Sequence, residues 1–169
     1  MEHCASDLLV QGALGLAQYC ERRARPYEAL EAFREAADRL KERTIEDPDV
    51  NPHDWLTLAT MLRFEGDISG YLGDRESGRE LLERCLSLLG RLELADLDTR
   101  CEEAYALLAL GNVERRTCRG DARQSFARSL GLARSTGDRW ACAQALFRLA
   151  TCHEFDDDLA EGIKLGERA

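Results

Sequence analysis

Residues Thr151 to Gly162 read TCHEFDDDLAEG, and eight consecutive positions there hold a cysteine, a histidine, a glutamate and three aspartates. These are the side chains that ligate zinc or relay protons. Spacing decides against both. Neighbours on a helix point about 100° apart, so Cys152, His153 and Glu154 cannot converge on one ion. His153 and Asp157 have the i, i+4 spacing of helical metal ligands, but a helix end is expected between them. The other candidates fare no better. His3 and Cys4 offer two ligands at a chain terminus. His53 and His153 lie at turns or helix ends without a matched nucleophile. The run Gly66 to Gly73 is glycine-rich, but it follows no strand and lacks the Lys-Ser/Thr of a phosphate loop. No catalytic residue, metal site or cofactor is therefore expected, and the chain is not expected to be an enzyme.

The elements that would position these residues are helices. Apolar side chains recur at helical spacing along nearly the whole chain, as in Ala29, Leu30, Phe33, Ala36, Ala37 and Leu40, and no segment sustains strand alternation. Pro26 and Pro52 stand where helices would start, the second behind Asn51 as an N-cap. The spacing predicts an all-α chain with eight helices at about 5–24, 27–46, 53–71, 74–93, 98–117, 120–135, 138–154 and 157–168.

Composition narrows the setting. With 169 residues, 44% of them hydrophobic, the chain can build a sizeable core. Seven cysteines without a C-x-x-C pair fit a reducing compartment, so a cytoplasmic protein is expected. There is neither an apolar run long enough for a membrane span nor a charged-then-apolar leader. A net charge of -9 opposes binding to a phosphate backbone, so neither nucleic acid nor membrane is an expected partner. The charge is uneven, however. Eight arginines from Arg115 to Arg148 share their stretch with only Glu114, Asp121 and Asp138.

The helices form pairs that resemble one another. In the second pair Gly66, Gly73, Gly78, Leu82 and Cys85 follow at gaps of 7, 5, 4 and 3 residues. Ala17, Ala29, Phe33 and Ala36 repeat the scheme in the first pair. Gly111, Ala122, Phe126 and Ser129 do so in the third, and Ala150, Gly162, Gly166 and Ala169 in the fourth. Size alternation accounts for it: a small residue lets the second helix approach, and Phe33, Leu82 or Phe126 fills the space beside it. Glycine in a helix costs about 1 kcal/mol against alanine, which close packing at Gly66 and Gly111 would offset. Gly70 has no such role in the scheme.

These small-large patterns resemble the tetratricopeptide repeat family over nearly the whole chain. The corresponding small residues lie 49, 45 and 39 residues apart, longer than the family's usual period of about 34. Cys20, Ser69, Glu114 and His153 stand where the family carries an aromatic. Longer repeats with a Gly-Asp-Arg-Trp turn, as at Gly137 to Trp140, are similar to the helical-repeat regions of bacterial signal-transduction ATPases and of transcription activators similar to the maltose regulator. The resemblance implies a right-handed α-solenoid of about four hairpins, at 4–46, 53–93, 98–136 and 138–169, in one repeat domain. The last hairpin has no capping helix, which suggests a segment of a larger protein or an end that docks on something else.

By the same resemblance the function is a non-catalytic protein-protein interaction module, a scaffold or sensor within a regulatory protein. Its partner would be a protein, a peptide or another domain of the parent chain. The first helix of each pair would line a concave groove, presenting Gln18 and Glu21, then Arg63 and Asp67, then Leu108, Asn112 and Arg115, then Gln144, Phe147 and Thr151. Arg63, Asn112 and Arg115 are the strongest contacts among these, because guanidinium and amide groups bind peptide carboxylates and carbonyls. A carboxylate clamp is not supported, since no lysine accompanies Asn112. Two rivals remain: a homo-oligomer assembled through the terminal repeat, and a small-molecule sensor using the groove around Phe147 and Gly70.

Overall fold

The structure, a computed structural model, describes residues 11–12, 15–16, 19, 25–46, 51–93, 97–115 and 119–154. Every regular element among them is helical. Six helices follow in order: α1 (Pro26–Glu46), α2 (Pro52–Leu72), α3 (Arg75–Glu93), α4 (Arg100–Glu114), α5 (Arg119–Thr136) and α6 (Arg139–Glu154). The all-α expectation holds, and no expected boundary of these six is off by more than three residues. The count of eight does not hold among the described residues. The helix expected over 5–24 is described only at residues 11–12, 15–16 and 19, which are helical. The one expected over 157–168 lies outside the described residues, as do Ala17, Gly162, Gly166 and Ala169.

Helix ends follow from local chemistry. Asn51 is extended, with φ -61° and ψ 133°, and its side-chain oxygen accepts the His53 N–H at 3.0 Å, capping α2 with Pro52 in the first turn. At the other end Gly73 takes φ 105°, the left-handed conformation that glycine adopts without strain. Its N–H reaches the Gly70 carbonyl at 3.3 Å, and the Asp74 N–H reaches that of Ser69 at 3.0 Å. Asp74 then starts α3 by accepting the Ser77 N–H at 3.2 Å. Gly137 and Asp138 repeat the device between α5 and α6. Gly137 has φ 73°, Asp138 donates its N–H to Ala133 at 2.9 Å, and its carboxylate accepts the Ala141 N–H at 3.0 Å.

The chain divides into two compact units, Met1–Thr99 and Arg100–Ala169. In the first, α2 packs against both α1 and α3. Against α1 it stacks Phe64 on Phe33, with ring centroids 4.8 Å apart and planes 15° from parallel. Phe33 is 1% exposed, and truncating such a ring costs about 3–5 kcal/mol. Against α3 the approach is closer. A Cβ on Gly66 would lie 2.8 Å from Leu82 Cγ and 2.9 Å from the Gly78 carbonyl oxygen. One on Gly78 would lie 2.8 Å from the Gly66 carbonyl and 2.9 Å from the Gly70 nitrogen. Gly78 of the facing helix thus rests on the backbone of Gly66 and Gly70.

In the second unit α5 packs against both α4 and α6, and α4 touches α6. Phe126, fully buried, fills the space over Gly111, where a Cβ would come within 2.7 Å of the ring. Ala122, Leu130, Ala133, Ala145, Leu149 and Cys152 complete the same core. Two polar links tie α5 to α4. Ser129 donates to the Ala104 carbonyl at 2.8 Å, and Ser125 donates to the Glu114 carboxylate at 2.7 Å, both in buried surroundings. Glu114 thus has a hydrogen-bonded place three residues beyond Gly111.

Candidate interaction surface

The residues first suspected of chemistry separate once placed. Cys152 is 2% exposed and belongs to the core of the second unit, packed as a small hydrophobe. The side chains of His153 and Glu154, and all of Asp156 to Asp158, lie outside the described residues. Cys85 is buried against α2 with the other apolar residues of α3, and Cys142 is half-buried beside the core. Among the described residues no group of three His, Cys, Asp or Glu side chains is arranged to hold a metal ion.

The expected groove residues divide between the two units. In the first unit Arg63 is buried, with its guanidinium carbon 4.0 Å above the centre of the Phe64 ring. There the cation meets the electron-rich face of the ring. Asp67, one turn further along α2, is half-buried. Between them Glu65 is 5% exposed, and its Oε1 accepts from Arg34 Nε at 3.1 Å while Oε2 is buried without a partner. A carboxylate enclosed in this way was not anticipated. Its neighbours Phe64 and Gly66 are packing residues, and a charge beside them reads in the sequence as solvated.

In the second unit Leu108 and Asn112 lie on successive turns of one side of α4, and Arg115 follows just past its end with its N–H on the Gly111 carbonyl at 2.9 Å; the first is buried and the others half-buried. Asn112 Oδ1 and Arg115 Nε are both buried without a hydrogen-bond partner. Leaving such an atom unpaired costs about 1–3 kcal/mol. On α6, Gln144 and Thr151 are half-buried and Phe147 is 52% exposed, with the Arg148 guanidinium 5.7 Å from its ring centre. Gln18 and Glu21 lie outside the described residues.

No protein-family model matches the chain, and no curated protein does. The reading of the surface therefore rests on its own geometry.

One exposed residue was passed over in the sequence. Trp140 is 65% exposed in the first turn of α6, seven residues before Phe147. It stands in the Gly-Asp-Arg-Trp turn and reads there as part of the turn, although the i, i+7 spacing to Phe147 was the available signal. Beside it, Asp138 is committed to structure. Its carboxyl is held below the usual carboxylate range, first by the Ala141 N–H, with Tyr105 and Trp140 N–H contributing and partial burial opposing.

No helix among the described residues is long and apolar enough to cross a membrane.

Proposed function

We propose that this chain is a non-catalytic interaction module, a tetratricopeptide-like solenoid of helical hairpins serving a bacterial regulatory protein in the cytoplasm. The pairing of α2 with α3 and of α4 with α5, each through a glycine facing a bulky residue, supports the hairpin reading. In each hairpin the side chains of the first helix, α2 or α4, meet the partner, as do those of α6.

The observation that carries the proposal is the pair of unpaired atoms at the C-terminal end of α4. Asn112 Oδ1 lacks a donor, and Arg115 Nε lacks an acceptor. The two residues are three apart in sequence. An extended peptide offers an N–H and a C=O at short intervals, so one laid along α4 satisfies both after small side-chain rotations. Gln144 and Phe147 add an amide and a ring from α6. In the first unit Arg63 is engaged on Phe64.

The test is selection of binders from a random displayed peptide library against the full chain, followed by affinity measurements with the synthetic peptides. Asn112→Ala and Arg115→Ala should each weaken the selected peptides about tenfold, the loss of one charge-assisted or amide hydrogen bond in a desolvated site. Recovery of no peptide, or of peptides indifferent to both substitutions, removes the proposal.

A further inference from the structure

Among the described residues, six aromatic side chains carry no hydroxyl: Phe33, Trp55, Phe64, Phe126, Trp140 and Phe147. Only Trp140 and Phe147 are exposed. They share one row of α6 with Gln144 and Thr151, all four within about 60° of arc, whereas Leu149, in the core, points almost directly the other way. The row carries no charge. Gln144 is half-buried between the two rings, and its amide makes no hydrogen bond among the described residues. Thr151 closes the row, its hydroxyl donating to the Arg148 carbonyl at 2.8 Å. Two apolar rings left on one face, with an unused amide between them, mark a docking position.

Spacing and hydrogen bonding select the occupant. The rings are seven residues apart, about 10 Å along the helix axis, and a chain docked on both must repeat one face at that distance. A β-strand repeats a face at every second residue, at about 7 Å and then about 13 Å. A polyproline II helix repeats it at every third residue, about 9 Å. An α-helix also has a repeat near 10 Å, but its backbone groups are bonded internally and offer Gln144 nothing. Covering that amide without a partner costs about 1–3 kcal/mol. Polyproline II makes no internal hydrogen bonds, so a carbonyl lying between its two ring-bound residues is free to accept from the Gln144 amide. A second copy of the chain fits less well. At 65% and 52% exposure the two rings together offer on the order of 250 Å², against about 800 Å² per partner in a stable dimer.

We infer that the α6 row of Trp140, Gln144 and Phe147 docks a proline-rich segment in the polyproline II conformation. This inference rests on the interaction-module reading and names the chemistry of the partner segment that α6 takes. Prolines at i and i+3 lie on the two rings, and a carbonyl between them meets the Gln144 amide. Aromatic surfaces recognise such segments because the ligand is stiff before it binds, so little conformational freedom is lost. A row without charge matches a ligand without charge. The Arg148 guanidinium, 5.7 Å from the Phe147 ring centre, stands beside a ring that remains exposed.

The probe is a fluorescein-labelled oligoproline of about ten residues, some three turns of polyproline II. Two comparison peptides are a flexible glycine-serine chain of the same length and an uncharged helix-forming peptide with leucines at i and i+7. Fluorescence anisotropy against the full chain should show the oligoproline bound at least about tenfold more tightly than either comparison peptide, with an affinity nearly indifferent to salt. Trp140→Ala and Phe147→Ala should each weaken it by about tenfold or more without moving the urea midpoint, since both rings are exposed. Gln144→Leu, which keeps the bulk and loses the amide, should weaken it about three- to tenfold. Equal binding of the glycine-serine chain, or indifference to the ring substitutions, overturns the inference. So does tighter binding of the helical peptide through the same rings, or Trp140-dependent self-association that excludes the oligoproline, since the occupant is then a helix or a second copy. If library peptides bind through Asn112 and Arg115 while the oligoproline does not bind, only the α6 inference is lost. If neither binds, the module reading fails with it.

Discussion

Tyr105 donates its hydroxyl to Oδ2 of Asp138 at 2.8 Å, so that α4 holds the residue on which α6 begins. The other oxygen of the same carboxylate takes the Ala141 N–H at 3.0 Å. One side chain thus caps a helix and fastens it to a neighbour two elements away in sequence.

A pH dependence follows. The folded state depresses the Asp138 carboxyl, so its contribution is fully present above the unfolded value of about 3.9 and is lost as pH falls through the lower folded value. Asp138→Asn keeps a capping oxygen but does not titrate. In urea unfolding the wild type should exceed Asp138→Asn near neutrality by about 0.3–1 kcal/mol, the effect of a negative charge at a helix N-terminus, and the two midpoints should converge as pH falls below the unfolded value and through the lower folded one. A gap that persists undiminished to pH 2 contradicts this account. Tyr105→Phe should lose about 0.5–1.5 kcal/mol at neutral pH.

Glycines at different places should respond with opposite signs. Gly66→Ala and Gly111→Ala push a methyl group into Leu82 and the Gly78 carbonyl, or into the Phe126 ring. Each should cost about 1–3 kcal/mol. Gly131 lies inside α5 with nothing within 4 Å of where its Cβ would stand. Gly131→Ala should therefore stabilise by up to about 1 kcal/mol. Thermal unfolding of the three variants side by side decides it, and a stabilised Gly66→Ala is the outcome that disproves the close approach.

The ion pair between α1 and α2 is asymmetric. Arg34 is 58% exposed at the side chain, whereas Glu65 is 7% exposed. Removing Arg34 leaves a buried carboxylate without its counter-ion, whereas removing both charges does not. Arg34→Ala should destabilise by about 1–2 kcal/mol after allowance for solvent screening of the guanidinium. Arg34→Ala in a Glu65→Gln background should cost less than half as much. A double-mutant cycle in urea with no coupling contradicts this picture.

Arg63 should behave as a structural residue as well as a surface one. Its guanidinium covers the Phe64 ring at 4.0 Å. Arg63→Ala should lower the unfolding free energy by about 1 kcal/mol, with Arg63→Lys recovering only part of it, because the ammonium lacks the planar stack. Unchanged stability in Arg63→Ala assigns the residue to binding alone.

Much of this fold was legible because residue size and backbone freedom are written in residue type. Gly73 and Gly137 mark left-handed stops, Pro26 and Pro52 mark starts, and the pairing of Gly66 with Leu82 and of Gly111 with Phe126 shows as small against large. The contact of Gly78 with the Gly70 backbone was not legible, because it joins two helices and exists only once their register is set. Glu65 and Trp140 were missed for different reasons. Glu65 carried no expectation and is enclosed, and Trp140 was assigned to a turn and is exposed. At the candidate surface, residue types identified Asn112 and Arg115, but the missing partners of their polar atoms are a property of the packed chain.

The glycine contact between α2 and α3 has a mechanical consequence. Where backbone rests on backbone, as at Gly66, Gly70 and Gly78, no side chain can change rotamer to absorb a shift. Against α1, by contrast, α2 meets flat rings that can slide over one another. The first unit therefore has one stiff joint and one compliant joint. Tension applied along the chain should peel α1 away while the α2–α3 hairpin still moves as a single lever.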